Sequence, residues 1–131
     1  MGVYGKTAVA VAQRYSHGQD PKDCWDREIT LFTSSHESRK KGCPKSAFLG
    51  LCQDGFVKGI PQGSYVPVDS PNKKYATIAA NVVLDSSSRH YSNAELWHKA
   101  TTGFSGAAKN QNGQMDVVLA LKEAGLLKKP N

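Results

Sequence analysis

The sequence has no long apolar run and no recognisable targeting segment. Its longest uninterrupted apolar stretches are five residues, as from Ala8 to Ala12, whereas about 20 are needed to cross a bilayer. The N-terminus lacks the cationic and apolar regions of a secretion signal. We therefore predict a soluble, cytoplasmic protein with no membrane partner.

Cysteine is scarce, and the usual metal and nucleotide motifs are absent. Cys24, Cys43 and Cys52 form an odd set without C-x-x-C spacing, which does not suit a secreted disulfide scaffold. The four histidines form no H-E-x-x-H motif, and neither G-x-x-x-x-G-K nor G-x-G-x-x-G occurs. We expect reduced thiols, no metal site and no cofactor.

Chain length and net charge are the first features that indicate a fold and a class of partner. A chain of 131 residues with 39% hydrophobic residues has the size of a single domain and enough apolar side chains for a core. Its formal net charge is +6, which favours anionic partners.

Three apolar stripes with helical spacing recur 70 to 72 positions apart. Residues at i, i+4 and i+7 lie on one face of a helix. The paired stripes are Tyr4, Ala8, Val11 with Tyr75, Ala79, Val82; Trp25, Ile29, Phe32 with Trp97, Thr101, Phe104; and 47–51 with 117–121. The same order in both halves predicts an internal duplication.

Helix boundary signals recur with the stripes. Asp20 precedes Pro21 at the start of the second predicted helix, and Ser92 with Glu95 forms a capping box at the matching place. Gly55 and Gly125 each follow a third helix, where glycine adopts a left-handed conformation without strain.

Together these signals predict an all-α fold with six helices. We place the helices near 3–16, 20–33, 44–54, 73–85, 92–103 and 114–124. They form two pseudo-symmetric three-helix repeats, about 3–61 and 73–129, packed into one domain, 1–131. The Pro- and Gly-rich linker at 62–72 cannot continue a helix, although its Tyr65, Val66 and Val68 could lie extended on the core. The third helices are apolar around most of their circumference, which predicts a central position.

The segment 38–45 carries four cations and no acid, at the start of the third predicted helix. Helix N-termini present unpaired amides and partial positive charge to anions. The candidate anion-binding residues are Arg39, Lys40, Lys41, Cys43 and Lys45. The matching segment of the second copy has only Lys109. The alternative interpretation is a solvated loop in which the lysines aid solubility.

Cys43 is also a candidate nucleophile. We place it at the N-cap, beside lysines, where a thiolate is favoured. A thiol-dependent enzyme would need a base, for which His36 is the nearby candidate. The alternative interpretation is that Cys43 has only a structural role, as a small residue that caps the helix before Pro44.

The first alternative to an anion-binding protein, ahead of a thiol-dependent enzyme, is a winged-helix-like nucleic-acid-binding module. The third helix is followed by the pattern G-F-V-x-x-I-P-x-G-x-Y, which suggests a β-wing after a recognition helix. That helix would offer Lys45, Ser46 and Gln53 to base edges.

The segments GCPKSAFLGLC at 42–52, KGI at 58–60 and QMDVVLAL at 114–121 resemble the signature of an uncharacterised family of short bacterial proteins. The resemblance implies a bacterial origin and no particular chemistry. Short proteins of this kind are sometimes carried on mobile gene cassettes, which the resemblance suggests here.

Our leading hypothesis is a non-enzymatic helical binding or interaction protein with a basic, anion-receptive helix start and no catalytic residues. The partner would be an anionic ligand or nucleic acid. Neither the composition nor any motif identifies that ligand.

Overall fold

Helices supply the regular structure in the part of the chain that the computed structural model describes, residues 1–86, 88–104 and 111–130. The all-α prediction is confirmed, since these residues form no strand. The elements are α1 Val3–Arg14, α2 Pro21–Glu28, a 3₁₀ turn Ile29–Leu31, α3 His36–Lys40, α4 Gly42–Gln53, α5 Pro71–Asp85, α6 Asn93–Thr101 and α7 Gln114–Glu123. None of the helices within those ranges combines the length and apolarity that a membrane span requires.

The short helix α3 was not expected from the sequence. None of its five residues is buried, so no apolar periodicity marks it. Its start is stabilised by Ser35, whose hydroxyl accepts a hydrogen bond from the Ser38 amide at 3.2 Å. The basic segment is therefore partly helical rather than a plain loop.

The predicted caps of α2 and α6 are confirmed. The Asp20 carboxylate accepts the Lys22 amide at 2.9 Å, with Pro21 as the first helical residue. At α6, the Ser92 hydroxyl accepts the Glu95 amide and the Glu95 carboxylate accepts the Ser92 amide, at 3.1 and 3.0 Å. Local sequence signals were enough to place these helix starts, because a cap acts within one helical turn.

Helix α1 is capped from elsewhere in the chain. No side chain at its N-cap, Gly2, can accept a hydrogen bond. The Asp116 carboxylate on α7 accepts the Gly2 amide at 2.9 Å and the Gly5 amide at 2.6 Å. A negative group there also complements the partial positive charge of the helix start. This contact fixes the start of α1 against α7.

Helices α4 and α7 lie at the centre of the core, as predicted. Phe48 and Leu51 on α4, and Val118 and Leu121 on α7, are each 0% exposed. Helix α4 packs against α5 and α7, and α7 packs against α1. The first helix of each half therefore contacts the third helix of the other half, and one hydrophobic cluster includes both halves.

Two glycines allow the helix axes to approach closely where α1 crosses α7 and where α4 crosses α5. A Cβ atom on Gly5 of α1 would lie 2.7 Å from the Ala120 Cβ and 2.9 Å from the Asp116 carbonyl oxygen. A Cβ atom on Gly50 of α4 would lie 2.8 Å from the Lys73 Cα. Larger side chains at Gly5 and Gly50 would therefore push the helices apart.

The ends of α4 and α7 have the same geometry. Gly55 and Gly125 have positive φ angles of 86° and 74°, as the sequence predicted. In each case the next residue donates its amide to a carbonyl of the last helical turn, at 2.9 Å, in the pairs Phe56 with Leu51 and Leu126 with Leu121. Both helices thus end in the same glycine-terminated motif.

The chain segments after these two glycines pair with each other. Val57 and Leu127 form an isolated antiparallel bridge. The flanking hydrogen bonds run from the Lys58 amide to the Leu126 carbonyl at 2.9 Å and from the Lys128 amide to the Phe56 carbonyl at 2.8 Å. These reciprocal contacts support the duplication, while superposition of 3–61 on 73–129 remains a prediction.

The linker is held by Gln53, whose Oε1 accepts the amides of Tyr65 at 2.7 Å and Val66 at 2.8 Å. Tyr65 and Val66 are half-buried against the core. The expectation for Val68 is wrong, because that side chain is 80% exposed.

Candidate functional site

Four basic side chains line one small recess near the start of α4. We define the basic recess as a cavity of about 380 Å³ lined by Asp26, Ile29, His36, Arg39, Lys40 and Lys45. Asp26 comes from α2, Ile29 from the 3₁₀ turn, and the others from α3 and the first turns of α4. Three of the five residues predicted to bind an anion therefore meet in one concave site.

The Arg39 guanidinium is held in place by backbone carbonyls. Its Nε donates to the Thr33 carbonyl at 2.8 Å, and one terminal nitrogen donates to the Thr30 carbonyl at 3.3 Å. These bonds join α3 to the 3₁₀ turn and to the segment that follows it. They leave other guanidinium N–H groups unused within the described structure, because arginine carries five donors.

Lys45 is oriented by an acid on another helix. Its ammonium donates to the two carboxylate oxygens of Asp26 at 2.9 and 3.1 Å. The ion pair holds Lys45 at the recess and offsets part of the positive charge. Asp26 lies 19 positions away in the sequence, so no local pattern connected it with the basic segment.

Lys41 and Cys43 do not line the recess. Helix α4 begins at Gly42, with Lys41 as its N-cap, so the prediction that Cys43 occupies the N-cap is wrong. Residues 42 and 43 are already helical, so α4 begins two positions before Pro44, where the sequence predicted its first residue. Cys43 lies in the first turn and is half-buried. Lys109, the counterpart in the predicted second copy, lies outside the described residues.

His36 does line the recess, whereas Cys43 does not. None of the side-chain hydrogen bonds found in residues 1–86, 88–104 and 111–130 joins the Cys43 thiol to a base. The geometry described here therefore adds nothing to the hypothesis of a thiol-dependent enzyme.

Helix α4 does not have the surroundings of a recognition helix. Seven of its residues, from Pro44 to Cys52, are buried in the core. The segment after it pairs through Val57 with Leu127, and no β-hairpin forms in the described part of the chain. The sequence pattern that suggested a β-wing belongs instead to a glycine-terminated helix end.

Within the described ranges, no three His, Cys, Asp or Glu side chains converge to hold a metal ion. The recess groups are mostly hydrogen-bond donors, which suit an anion better than a cation. Among the described residues, the recess therefore offers mainly cationic hydrogen-bond donors.

Residues 1–128 match a family of unknown function, DUF6979. The chain belongs to that family. The match extends over both halves of the fold, including every residue of the basic recess. It agrees with the resemblance to an uncharacterised family, although it does not address a bacterial source or carriage on a gene cassette. Comparison with curated proteins and with solved structures gave no match.

Proposed function

We propose that this protein is a non-enzymatic binding protein whose basic recess takes a small phosphate-like anion. The observation that carries the proposal is the convergence of Arg39, Lys40 and Lys45, with His36, on one cavity where Asp26 is the single carboxylate among the described residues. Three cationic side chains and one acid among the described lining residues leave the recess positive, and a concave site strengthens their field.

The two remaining predicted residues fit beside this site. Lys41 and Cys43 lie at the start of α4, where no side chain caps the helix. The amides of that turn and the helix dipole favour a nearby negative charge. We propose that Lys41 and the α4 start contribute to the attraction from outside the recess.

The dimensions of the recess favour a small ligand. Its volume of about 380 Å³ is near the lower end of small-molecule sites, which range from about 300 to 1,000 Å³. This is enough for a phosphate group and part of the molecule that carries it. The fixed Arg39 and Lys45 side chains would lose little conformational freedom on binding.

Calorimetric titration with inorganic pyrophosphate at low ionic strength tests the proposal. The wild type should bind it saturably, and Lys40→Ala with Lys45→Ala should weaken binding at least tenfold. Lys74→Ala with Lys99→Ala is the matched control, because it removes the same charge from two exposed sites away from the recess. Equal weakening in both double variants, or no binding by the wild type, would contradict the proposal.

A further inference from the structure

A larger cavity lies where the start of α1 meets the outer face of α7. Its volume is about 800 Å³, and we call it the α1–α7 cavity. None of the described residues that line it also lines the basic recess. The volume is that of a site for a drug-sized organic molecule.

Part of the cavity wall is apolar and aromatic. Val83, Leu119, Tyr4 and Tyr91 contribute to it. The Tyr4 ring is fixed in position. Its hydroxyl donates to the Ser38 carbonyl at 3.1 Å, and the ring packs closely on the backbone of Gly113. Such a wall favours the flat face of an aromatic ligand.

Basic groups line another part of the cavity. Arg89, His90 and Lys122 all contribute to it. The Arg89 guanidinium lies 4.6 Å from the centre of the Tyr91 ring and contacts the Glu95 carboxylate at 3.5 Å. These two contacts orient its remaining donors, which suit a carboxylate.

Acids among the described residues offset part of the positive charge at the cavity: Glu95 pairs with Arg89, and Asp116 and Glu123 line the wall. Both oxygens of Asp116 accept amides of the α1 start, at 2.9 and 2.6 Å, so its charge is already offset there. Glu123 also lines the cavity, and like Arg89 and His90 it is exposed to solvent, so water screens the fields of all three side chains.

A buried hydrogen-bond acceptor on Gln111 adds a further requirement for the ligand. The Oε1 atom of Gln111 is inaccessible to solvent and has no hydrogen-bond partner among the described residues. Gln111 lines the cavity. Buried acceptors are nearly always satisfied, and a ligand hydroxyl or N–H would supply the missing bond once the Gln111 amide turns toward the cavity.

We propose that the α1–α7 cavity binds an aromatic carboxylate that also carries a hydrogen-bond donor. The ring would lie against Tyr4, Tyr91 and Leu119, and the carboxylate would lie near Arg89 and His90. The donor would reach Gln111. This site is independent of the basic recess.

The test uses 6-hydroxy-2-naphthoate, which combines a flat apolar ring, a carboxylate and a hydroxyl donor. Calorimetric titration of the wild type should give saturable binding with one molecule per chain. Two related probes separate the features: 2,6-dihydroxynaphthalene lacks the carboxylate, and 6-methoxy-2-naphthoate lacks the donor. Each should bind at least fivefold more weakly.

Variants assign the binding to the cavity. Leu119→Trp fills it and should weaken binding at least tenfold, whereas Leu31→Trp adds the same ring at a side chain that is 63% exposed and outside the cavity. Arg89→Gln with His90→Gln should weaken the naphthoate at least fivefold and leave 2,6-dihydroxynaphthalene unchanged. Lys99→Gln is the control for the loss of charge.

Absence of saturable naphthoate binding would overturn the proposal, as would equal affinities in Leu119→Trp and Leu31→Trp. Circular dichroism establishes whether each variant is folded. If Leu119→Trp does not fold, the double variant Arg89→Gln with His90→Gln tests the site instead. Both side chains are exposed, so their replacement should not unfold the protein. An unchanged naphthoate affinity in that variant would then contradict the site.

Discussion

At the scale of single residues, the three cysteines differ most in their access to solvent. Cys24 is 1% exposed and Cys52 is 0% exposed, and burial raises the pKa of the Cys52 thiol well above its ordinary value. Cys43 is half-buried in the first turn of α4. Accessibility should therefore separate Cys43 from the two buried thiols, and the raised pKa of Cys52 should slow its reaction further, since the thiolate is the reactive form.

We expect iodoacetamide to modify Cys43 first and Cys52 last. Timed alkylation of the native protein, followed by peptide mass mapping, measures the order. The variant Cys43→Ser should lose the fast phase and keep the slow ones. Modification of Cys52 ahead of Cys43 would mean that α4 is not buried as the structure shows.

At the scale of helices, the crossings of α1 on α7 and α4 on α5 depend on glycine. Alanine normally stabilises a helix interior by up to about 1 kcal/mol relative to glycine. At Gly50, however, the new Cβ would lie 2.8 Å from the Lys73 Cα, and at Gly5 it would lie 2.7 Å from the Ala120 Cβ. Overpacking of this kind costs about 1–3 kcal/mol.

We therefore expect Gly5→Ala and Gly50→Ala to lower the free energy of unfolding, as measured by urea titration. Gly42→Ala is the matched control, because a Cβ there meets no atom within 4 Å. That variant should be neutral or more stable. Stabilisation by Gly50→Ala would show that α4 and α5 can separate without cost.

The central position of α7 leads to a second prediction for the helices. Leu121 is 0% exposed, and Leu121→Ala should lower the free energy of unfolding by about 2–5 kcal/mol. Leu31→Ala, at a side chain that is 63% exposed, should change it by less than about 0.5 kcal/mol. A loss below about 1 kcal/mol at Leu121 would place α7 at the surface.

At the scale of the whole molecule, the net charge of +6 gives a prediction for nucleic acid. A generic anion site should bind duplex DNA weakly, without sequence preference. Each phosphate contact contributes about −0.9 to the slope of log K against log salt. Lys40→Ala, Lys41→Ala and Lys45→Ala together should therefore remove a slope of about −3, without unfolding the protein.

Titration against random duplex DNA at several salt concentrations measures that slope. The matched control is the triple variant Lys58→Ala, Lys74→Ala and Lys99→Ala, which removes three exposed lysines outside the recess. An equal loss of slope in both triple variants would mean that net charge alone accounts for the DNA binding. A DNA sequence bound about a thousandfold more tightly than random DNA would favour the nucleic-acid-binding alternative instead.

The sequence by itself determined six of the helical segments and which helices are central. Helix periodicity and caps such as Asp20 and Ser92 act between residues only a few positions apart, so they can be recognised without the fold. The helix α3 was missed because it buries no side chain. The cations of the recess were also predictable, because they are close together in the sequence.

Only the tertiary structure decided how the two halves combine and where the cavities lie. Asp116 caps a helix 111 positions away, Asp26 pairs with Lys45, and Arg89 lies in the same cavity wall as Tyr4. No local pattern encodes such contacts, because they depend on how the helices cross. The crossings in turn follow from the shape of the packed core, where Gly5 and Gly50 permit close approach.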